Sequence, residues 1–378
     1  MPAFDVAVVG LGAMGSATLY ELARRGQRAI GIERFEPGHD RGSSHGESRL
    51  IRMAYFEDPA YVPLVRLAYR NWRRLEALTG ERVLSVTGIL EAGARGSPMV
   101  QASLNSALEH GLAHEVLTAA QVAERFPAFQ LPADWDCVFQ PDAGILQPEK
   151  AIGLYLQAAK DLGAEVRTNT RVREVRPRGD GVAIVLDGGE VIEAGAAVIA
   201  AGPWIGELAP FLADHLRLTR QVLIWFEPER PELVTPARMP VFLLQTADDV
   251  IYGVPDFLGT GVKAASHDAC GELASAEADR GEVTAQDIER VHRVMRACAP
   301  AAALRPRRTA TCVYTRAPDE HFILGPHPDW PQIVIASPCS GHGFKFASIL
   351  GEVLAELATT GATNKPVGLF SPTRLLTA

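Results

Sequence analysis

Three glycines near the start of the chain have the spacing of a phosphate-binding turn. Gly10, Gly12 and Gly15 come directly after the apolar stretch 4–9 and before a helical pattern. Glycine here permits a tight turn, close approach of the backbone to a pyrophosphate, and close packing of helix on strand. The helix N-terminus then offers N–H groups and a favourable dipole to the anion. Glu33 ends the next predicted strand, where a carboxylate can accept hydrogen bonds from ribose hydroxyls. The pattern therefore predicts a dinucleotide site but does not separate FAD from NAD.

Cations beside apolar or glycine-rich segments form a second group. Arg49 and Arg52 flank two apolar residues, and buried guanidinium groups are expensive unless they meet anions. Lys345 follows the glycine-rich segment 340–343 at the start of a predicted last helix, where the helix dipole disfavours a cation. This placement hints at an anion beside Lys345. Taken singly, each cation is better explained by a solvated surface position.

The remaining candidates are uninformative one at a time. Cys312 lies in a predicted strand, where a cysteine is usually a small buried apolar residue. Lys263, His45, His267 and His342 are more often structural than catalytic when each is considered alone. The five cysteines are odd in number and have no C-x-x-C spacing, which disfavours a disulfide framework and a zinc site, so we expect no metal.

Composition limits the classes of protein. The 378 residues are 47% hydrophobic and 22% charged, so two or three globular units are expected. The net charge of −8 disfavours nucleic acid as a partner. No apolar run reaches the length of a membrane helix, and Asp5 interrupts the N-terminal apolar stretch, so we expect neither a membrane association nor a signal peptide. A cytoplasmic enzyme is the resulting expectation.

The elements that must position these residues follow from periodicity. A strand over 4–9, a helix over 16–25 and a second strand over 28–33 form a βαβ start. We further predict one strand over 83–91, two short strands over 191–193 and 196–201, and a last helix that begins at residue 341. Nucleotide-type signals lie at both ends of the chain and near residue 200, where Val198–Trp204 is a buried strand that ends in glycine. This distribution predicts two domains that are interleaved in sequence.

Together, these segments resemble the monomeric sarcosine oxidase family of flavin amine oxidases. The most specific part of the resemblance combines Cys312-Val313-Tyr314-Thr315 and Pro318-Asp319 with Gly341-His342-Gly343-Phe344-Lys345. Further matching segments are 42–52, 198–204 and 252–267. The sequence departs from the family at Ser337-Pro338-Cys339. The resemblance therefore does not define this wall of the cofactor site, and Cys339 could face the cofactor.

The resemblance implies a role for each candidate. Cys312 matches the cysteine that joins the flavin 8α-methyl group through a thioether, Arg52 and Lys345 match the pair that holds the substrate carboxylate, and Lys263 matches the lysine that promotes oxygen reduction. Tyr252, His267 and Tyr314 match residues that line the substrate cavity, and these three, with Arg49 and Lys263, form the implied catalytic set. The implied FAD contacts are Gly10, Gly12, Ala13, Met14, Gly15, Glu33, Arg34, Ser43, Ser44, His45, Arg49, Leu50, Val172, Ala201, Gly202, Trp204, Cys312, Gly341, His342, Gly343, Phe344 and Lys345.

We accordingly expect an α/β protein with a Rossmann-like FAD-binding domain (1–85, 145–220 and 320–378). A substrate domain on a mixed or antiparallel sheet with helices would occupy 86–144 and 221–319. The implied activity is oxidation of a secondary amino acid, N-methyl or cyclic, by O2 in a monomeric enzyme. Two alternatives stay open, an FAD dehydrogenase that passes electrons to a carrier and a dinucleotide-binding protein without catalytic activity.

Overall fold

The structure is a computed structural model that describes residues 2–376. Its helices, in chain order, are α1 Ala13–Arg24, α2 Val62–Thr79, α3 Pro98–Glu109, α4 Ala119–Arg125, α5 Pro148–Asp161, α6 Ile205–Leu208, α7 Ala285–Cys298 and α8 Ala347–Thr360. Its strands, in chain order, are β1 Phe4–Val9, β2 Ala29–Ile32, β3 Arg49–Ile51, β4 Leu84–Val86, β5 Ile89–Gly93, β6 Glu115–Leu117, β7 Asp136–Gln140, β8 Gly144–Leu146, β9 Glu165–Arg167, β10 Val172–Arg178, β11 Gly181–Leu186, β12 Val191–Ile199, β13 Arg217–Glu227, β14 Val241–Gln245, β15 Val250–Val254, β16 Val262–Ser266, β17 Glu272–Leu273, β18 Arg305–Arg316, β19 Ile323–Pro326 and β20 Ile333–Ser337.

The first sheet supplies the edge at which a dinucleotide would bind. β9, β2, β1, β12 and β20 run parallel in that order, and β10, β11 and β19 add antiparallel pairs, which makes eight strands. α1 packs against α5 and α8 on one face. Both faces of β1 are buried toward its end, as expected for a central parallel strand. The predicted Rossmann-like unit is therefore confirmed.

The second sheet has nine strands in the order β17-β13-β16-β15-β14-β5-β7-β6, with β18 paired to β13. Its pairs are antiparallel except for β14 with β5, so the sheet is mixed, as predicted. α3 packs on β5 and β7, and α7 packs on β16 and β18. A third, three-stranded sheet, β3-β8-β4, contains Arg49 and Leu50.

Three predicted elements were wrong, and backbone conformation explains two of them. The single strand over 83–91 is two strands in different sheets, because Gly88 takes φ +73° between β4 and β5. The last helix begins at Ala347 rather than at residue 341, because Ser340 and Gly341 have positive φ and a 3-10 turn over 344–346 follows. The two short strands near 195 form the single strand β12, which pairs with β1.

The domain bounds stay a prediction, and β13 continues across the predicted boundary at residue 220. Within residues 2–376, every helix is too short or too polar to cross a bilayer.

Candidate active site

A deep crevice opens at the carboxyl ends of β1, β2, β12 and β20 and extends toward the second sheet. Its volume is about 1820 Å³, part of it open to solvent. Most of the predicted site residues line it, from the glycine turn at one end to Tyr252, His267 and Tyr314 at the other. Gly15, His45, Lys263 and Cys312 are the predicted residues that do not reach its surface.

The glycine turn forms the cradle at the first end of the crevice. Gly10 has φ +88°, and a Cβ there would meet the Ala200 carbonyl oxygen at 2.5 Å. A Cβ at Gly15 would lie 1.8 Å from the Gly10 carbonyl oxygen, so close packing of α1 on β1 requires glycine. A Cβ at Gly12 would meet only the Ser44 hydroxyl, at 3.4 Å, which leaves the space in front of Gly12 to a ligand.

The N-terminus of α1 is the positive end of a helix dipole that faces this cradle. Gly12, the residue before the helix, provides no side-chain cap, and the first turn contains no acidic residue. Unpaired N–H groups and the dipole favour an anion at such a position. The cradle therefore fits a pyrophosphate.

Glu33 lies where a ribose hydroxyl could donate to it. Its Oε2 accepts the Leu11 N–H at 2.7 Å and its Oε1 accepts the Phe35 N–H at 3.1 Å. Burial alone would raise the pKa of Glu33, but His39 and these two N–H groups lower it below its ordinary value. Glu33 is therefore an ionised acceptor on the wall of the crevice.

Two buried cations lie at the far end of the crevice. Arg52 is 3% exposed and Lys345 is 6% exposed, and both line the crevice. The Arg52 guanidinium stacks over the Tyr55 and Phe56 rings at 4.3 Å and donates to the Ala54 carbonyl at 2.7 Å. Its other nitrogen donates to the Glu57 carboxylate, which also lines the crevice. Arg52 thus already binds a carboxylate, and the protein itself provides it.

A hydrogen-bonded chain connects Lys345 to His342. The Lys345 ammonium donates to the Tyr55 hydroxyl at 3.2 Å and to the His342 carbonyl at 2.8 Å. His342 Nε2 faces the Glu320 carbonyl at 3.1 Å and must donate, so its Nδ1 accepts from the Tyr55 hydroxyl at 2.9 Å. Burial lowers the pKa of His342 to about 3, which keeps this ring neutral at pH 7.

The pKa of Lys345 is set by its burial and by two neighbouring charges. Burial, and then the Arg52 charge, lower the pKa of Lys345 to about 7, while Glu57 opposes them. Burial would raise the pKa of Glu57, but Arg52, His342 and Lys345 lower it to about 2. At neutral pH the pocket therefore contains a permanent cation, a permanent anion and a half-titrated lysine.

Three neutral side chains, those of Tyr252, Tyr314 and His267, line the crevice near the cations, and the charge of Arg49 acts on both tyrosines. Burial raises the pKa of Tyr252 and Tyr314 and lowers that of His267, so all three are neutral at pH 7. The rings of His267 and Tyr314 lie 6.5 Å apart. The space between these rings is bounded by groups that are themselves neutral.

Lys263 and His45 lie just behind the crevice wall. The Lys263 ammonium donates to the Gly46 carbonyl, the Ser48 carbonyl and the Ser48 hydroxyl at 2.8, 2.9 and 3.2 Å. Burial, and then Arg49, lower the pKa of Lys263 well below its ordinary value. Burial, and then Arg49, also lower the pKa of His45 to about 4, and its Nε2 has no hydrogen-bond partner.

Cys312 is 1% exposed in β18, where it pairs with Gln221 of β13. Burial raises the pKa of its thiol, and the Arg49 charge opposes that effect. Cys339 lines the crevice, and its sulfur accepts the Thr315 N–H at 3.3 Å.

Sequence analysis missed two acids beside the cations. Glu57 follows Arg52 by five residues, but no periodicity marked it as buried. Glu91 was placed at the polar end of a strand, whereas it is 0% exposed in the middle of β5. The available sequence signal was that Glu91 is flanked by the apolar residues Leu90 and Ala92. In the structure this strand is buried on both faces.

Comparison with protein families matches residues 5–357 to the family described as FAD dependent oxidoreductase. The monomeric sarcosine oxidase of Streptomyces avermitilis is 37% identical over 100% of this chain and 99% of that protein. The N-methyl-L-tryptophan oxidase of Yersinia pestis is 32% identical over 98% of this chain and 99% of that protein.

Solved structures share the fold. NikD, an amino acid oxidase essential for nikkomycin biosynthesis, superposes with a TM-score of 0.86 at 24% identity over 98% of both chains. L-Proline dehydrogenase from P. horikoshii has a TM-score of 0.84 at 21% identity over 99% of this chain and 98% of that one. These likenesses confirm the arrangement of the sheets.

Proposed function

Because the chain belongs to the monomeric sarcosine oxidase family of FAD-dependent oxidoreductases, we propose that it oxidises small secondary amino acids, N-methyl or cyclic. The observation that carries the proposal is the pair of buried cations, Arg52 and Lys345, at the end of the crevice opposite the glycine cradle. A substrate carboxylate between them would replace Glu57 as a partner of Arg52. Charge-assisted hydrogen bonds of this kind fix both position and orientation.

The crevice fits FAD along its length. The cradle at Gly12 and the N-terminus of α1, where the Ser44 hydroxyl accepts the Ala13 N–H at 3.3 Å, suit the pyrophosphate, and Glu33 suits a ribose. Bound FAD supplies the acceptor for a hydride equivalent from the carbon next to the amine nitrogen. The chain's own residues position that carbon: two cations hold the carboxylate, and orientation of this type contributes several kcal/mol to catalysis.

The protein also sets the protonation state of the amine. Arg52, Lys345 and Arg49 disfavour an added positive charge nearby, and Glu57, the acid beside them, is already paired with Arg52. The excess of positive charge favours the unprotonated, reactive form of the amine. The products are an imine, which hydrolyses or stays cyclic, and hydrogen peroxide when O2 takes the electrons.

We assign the oxygen step to Lys263. Reduction of O2 builds negative charge, which a fixed ammonium stabilises. Three oxygen acceptors around Lys263 favour the ammonium over the amine and oppose the effect of burial. This group supports O2 rather than a protein carrier as the acceptor. We expect the active form to be a cytoplasmic monomer.

A peroxide-coupled screen tests the function. Purified protein that contains FAD is offered N-methylglycine, N-methyltryptophan, proline and pipecolate under air, and we expect stoichiometric hydrogen peroxide with at least one of them. Dye reduction without peroxide would indicate the dehydrogenase alternative. No reduction by any of the amines would contradict the proposal.

We further propose that Cys312 is the site of covalent FAD attachment. Ser43, which lines the crevice, donates to the carbonyl of the next residue, Val313, so β18 adjoins the crevice wall at Cys312. Burial raises the pKa of the thiol, and the Arg49 charge opposes that rise. The Cys312→Ala variant should release its yellow colour into the supernatant on acid precipitation, whereas the wild type keeps it in the pellet. A Cys339→Ala control should behave as the wild type. Colour retained by Cys312→Ala would place the attachment elsewhere.

A further inference from the structure

Glu91 is a buried carboxyl group near Arg52. It is 0% exposed in β5, where it pairs with Leu243 of β14, a residue that lines the crevice. Residues paired across neighbouring strands share a face of the sheet, so Glu91 points to the crevice side. Burial raises the pKa of Glu91 to about 7, and the Arg52 charge is the strongest of the effects that oppose this rise. Arg52 therefore lies close enough to Glu91 to interact with its charge.

Gln140 connects Glu91 to the segment that contains Arg52. Val138 of β7 pairs with Glu91, which places Gln140 on the same face and diagonal to Glu91. The Gln140 Nε2 donates to Glu91 Oε2 at 2.6 Å, and its Oε1 accepts the Ala54 N–H at 2.8 Å. Arg52 donates to the carbonyl of the same Ala54 at 2.7 Å. A continuous buried chain therefore runs from Glu91 to the guanidinium group.

Two partners of opposite kind hold the Gln140 amide in one orientation. The Ala54 N–H can only donate, so the Gln140 oxygen faces Ala54, and the Gln140 nitrogen then requires an acceptor, which Glu91 Oε2 provides. A buried N–H left without an acceptor costs about 1–3 kcal/mol, which would loosen the Ala54 peptide if the amide lost its orientation. The Tyr55 N–H, which shares a peptide group with the Ala54 carbonyl, donates to the Ser106 hydroxyl at 3.0 Å. Gln140 therefore holds the peptide group before Ala54, and Ser106 holds the one after it.

We propose that Glu91 is a positioning residue for substrate binding: through Gln140 it fixes the N–H side of Ala54 and, together with Ser106 on the carbonyl side, the direction of the Arg52 guanidinium. The identity of the ligand rests on the function proposed above, whereas the chain of hydrogen bonds does not. Loss of Glu91 should lower the affinity of the site for a carboxylate and leave the rate of the chemical step nearly unchanged. A residue that merely fills the core would change stability and leave affinity alone.

The test compares Glu91→Met, Gln140→Met, their double variant and the conservative Glu91→Gln in the holoenzyme. The dissociation constant of acetate, measured by calorimetry, should rise about 10-fold in each Met variant, and KM should follow with kcat within about twofold. The double variant should be no weaker than Gln140→Met alone, because the two residues act in one chain. Glu91→Gln keeps an acceptor oxygen and should restore binding to within about twofold.

Glu21→Gln provides the matched control, since Glu21 is a buried acid of α1 that is paired with Arg24 and Arg74 far from this chain of hydrogen bonds. It should leave acetate affinity unchanged. Additive effects of the two Met substitutions, or unchanged affinity in Gln140→Met, would overturn the proposal even if Glu91→Met does not fold. Normal amine oxidation with unchanged affinities would refute the role of Glu91 alone. The expected affinities without oxidation of any amine would refute the proposed function alone.

Discussion

The cofactor cradle and the substrate anchor are built in opposite ways. The cradle consists of backbone, and its glycines fall within the six residues 10–15, which run from the end of β1 into the first turn of α1. The anchor consists of side chains that are far apart in sequence, with Arg52 after β3, Lys345 before α8 and Glu91 in the second sheet. A backbone site depends on local conformation, whereas the anchor depends on three regions packing correctly and on each buried charge having a partner. The two regions should therefore fail differently when they are mutated.

The largest effect is expected in the cradle. Gly15→Ala places a Cβ 1.8 Å from the Gly10 carbonyl and must displace α1, so we expect no stable FAD-containing protein. Gly12→Ala is the matched variant, because its Cβ meets only the Ser44 hydroxyl at 3.4 Å. It should fold with near-normal stability and lose FAD affinity. Thermal unfolding with and without added FAD distinguishes the two variants, and equal behaviour would contradict the cradle geometry.

The second largest effect is expected in the rate at which the reduced enzyme reacts with O2. Lys263→Met removes the ammonium and should slow reaction of the reduced enzyme with O2 on the order of 100-fold. Anaerobic reduction by the amine should change little, because Lys263 does not line the crevice. Rapid-mixing absorbance measurements separate the two half-reactions. Lys263→Arg, which keeps the charge, should be intermediate, and equal slowing of both half-reactions in Lys263→Met would refute the assigned role.

A smaller effect, a loss of acetate affinity, is expected when the anchor is mutated. Lys345→Met removes one of two cations and should raise the dissociation constant of acetate by about 10- to 100-fold, as expected for a lost charge-assisted hydrogen bond. Lys365→Met, which removes a lysine that is paired with Glu352 and Glu356, serves as the control. Unchanged acetate binding in Lys345→Met would remove this residue from the anchor.

The smallest effect is a pH dependence. Lys345 carries its charge below its pKa of about 7 and loses it as the pH rises, so acetate should bind more weakly above pH 7. Glu57, with a pKa of about 2, and His342, with a pKa of about 3, do not titrate between pH 6 and 9. Glu91 does titrate near 7, and the slope that remains in Lys345→Met reports its contribution. A full slope in Lys345→Met would contradict the assignment to Lys345.

The cradle was predictable because its determinants are local. The valine-rich strand, the three glycines and the acid of the next strand each impose a short-range constraint, and β1 has the predicted bounds. The family resemblance added the anchor residues Arg52 and Lys345. It did not supply Glu57, which the sequence shows only as one of two adjacent acids after Tyr55 and Phe56.

The rest depended on tertiary structure. The segment 83–91 has the composition of one strand, and only its division at Gly88 between two sheets buries Glu91 beneath the crevice. Likewise, Lys345 was expected inside a helix, but the loop at Ser340 and Gly341 delays the helix and brings the ammonium to Tyr55. Positive φ at a non-glycine residue such as Ser340 is set by packing and is not legible in sequence.

The central claim is that the two buried cations select the carboxylate of an amino acid. The direct test compares kcat/KM for the best amino acid of the peroxide screen with kcat/KM for its neutral carboxamide, which keeps the amine and the shape. The account predicts a loss of about 100-fold or more for the carboxamide in the wild type and a much smaller difference in Lys345→Met. Equal kcat/KM for acid and carboxamide in the wild type would show that Arg52 and Lys345 do not hold the substrate.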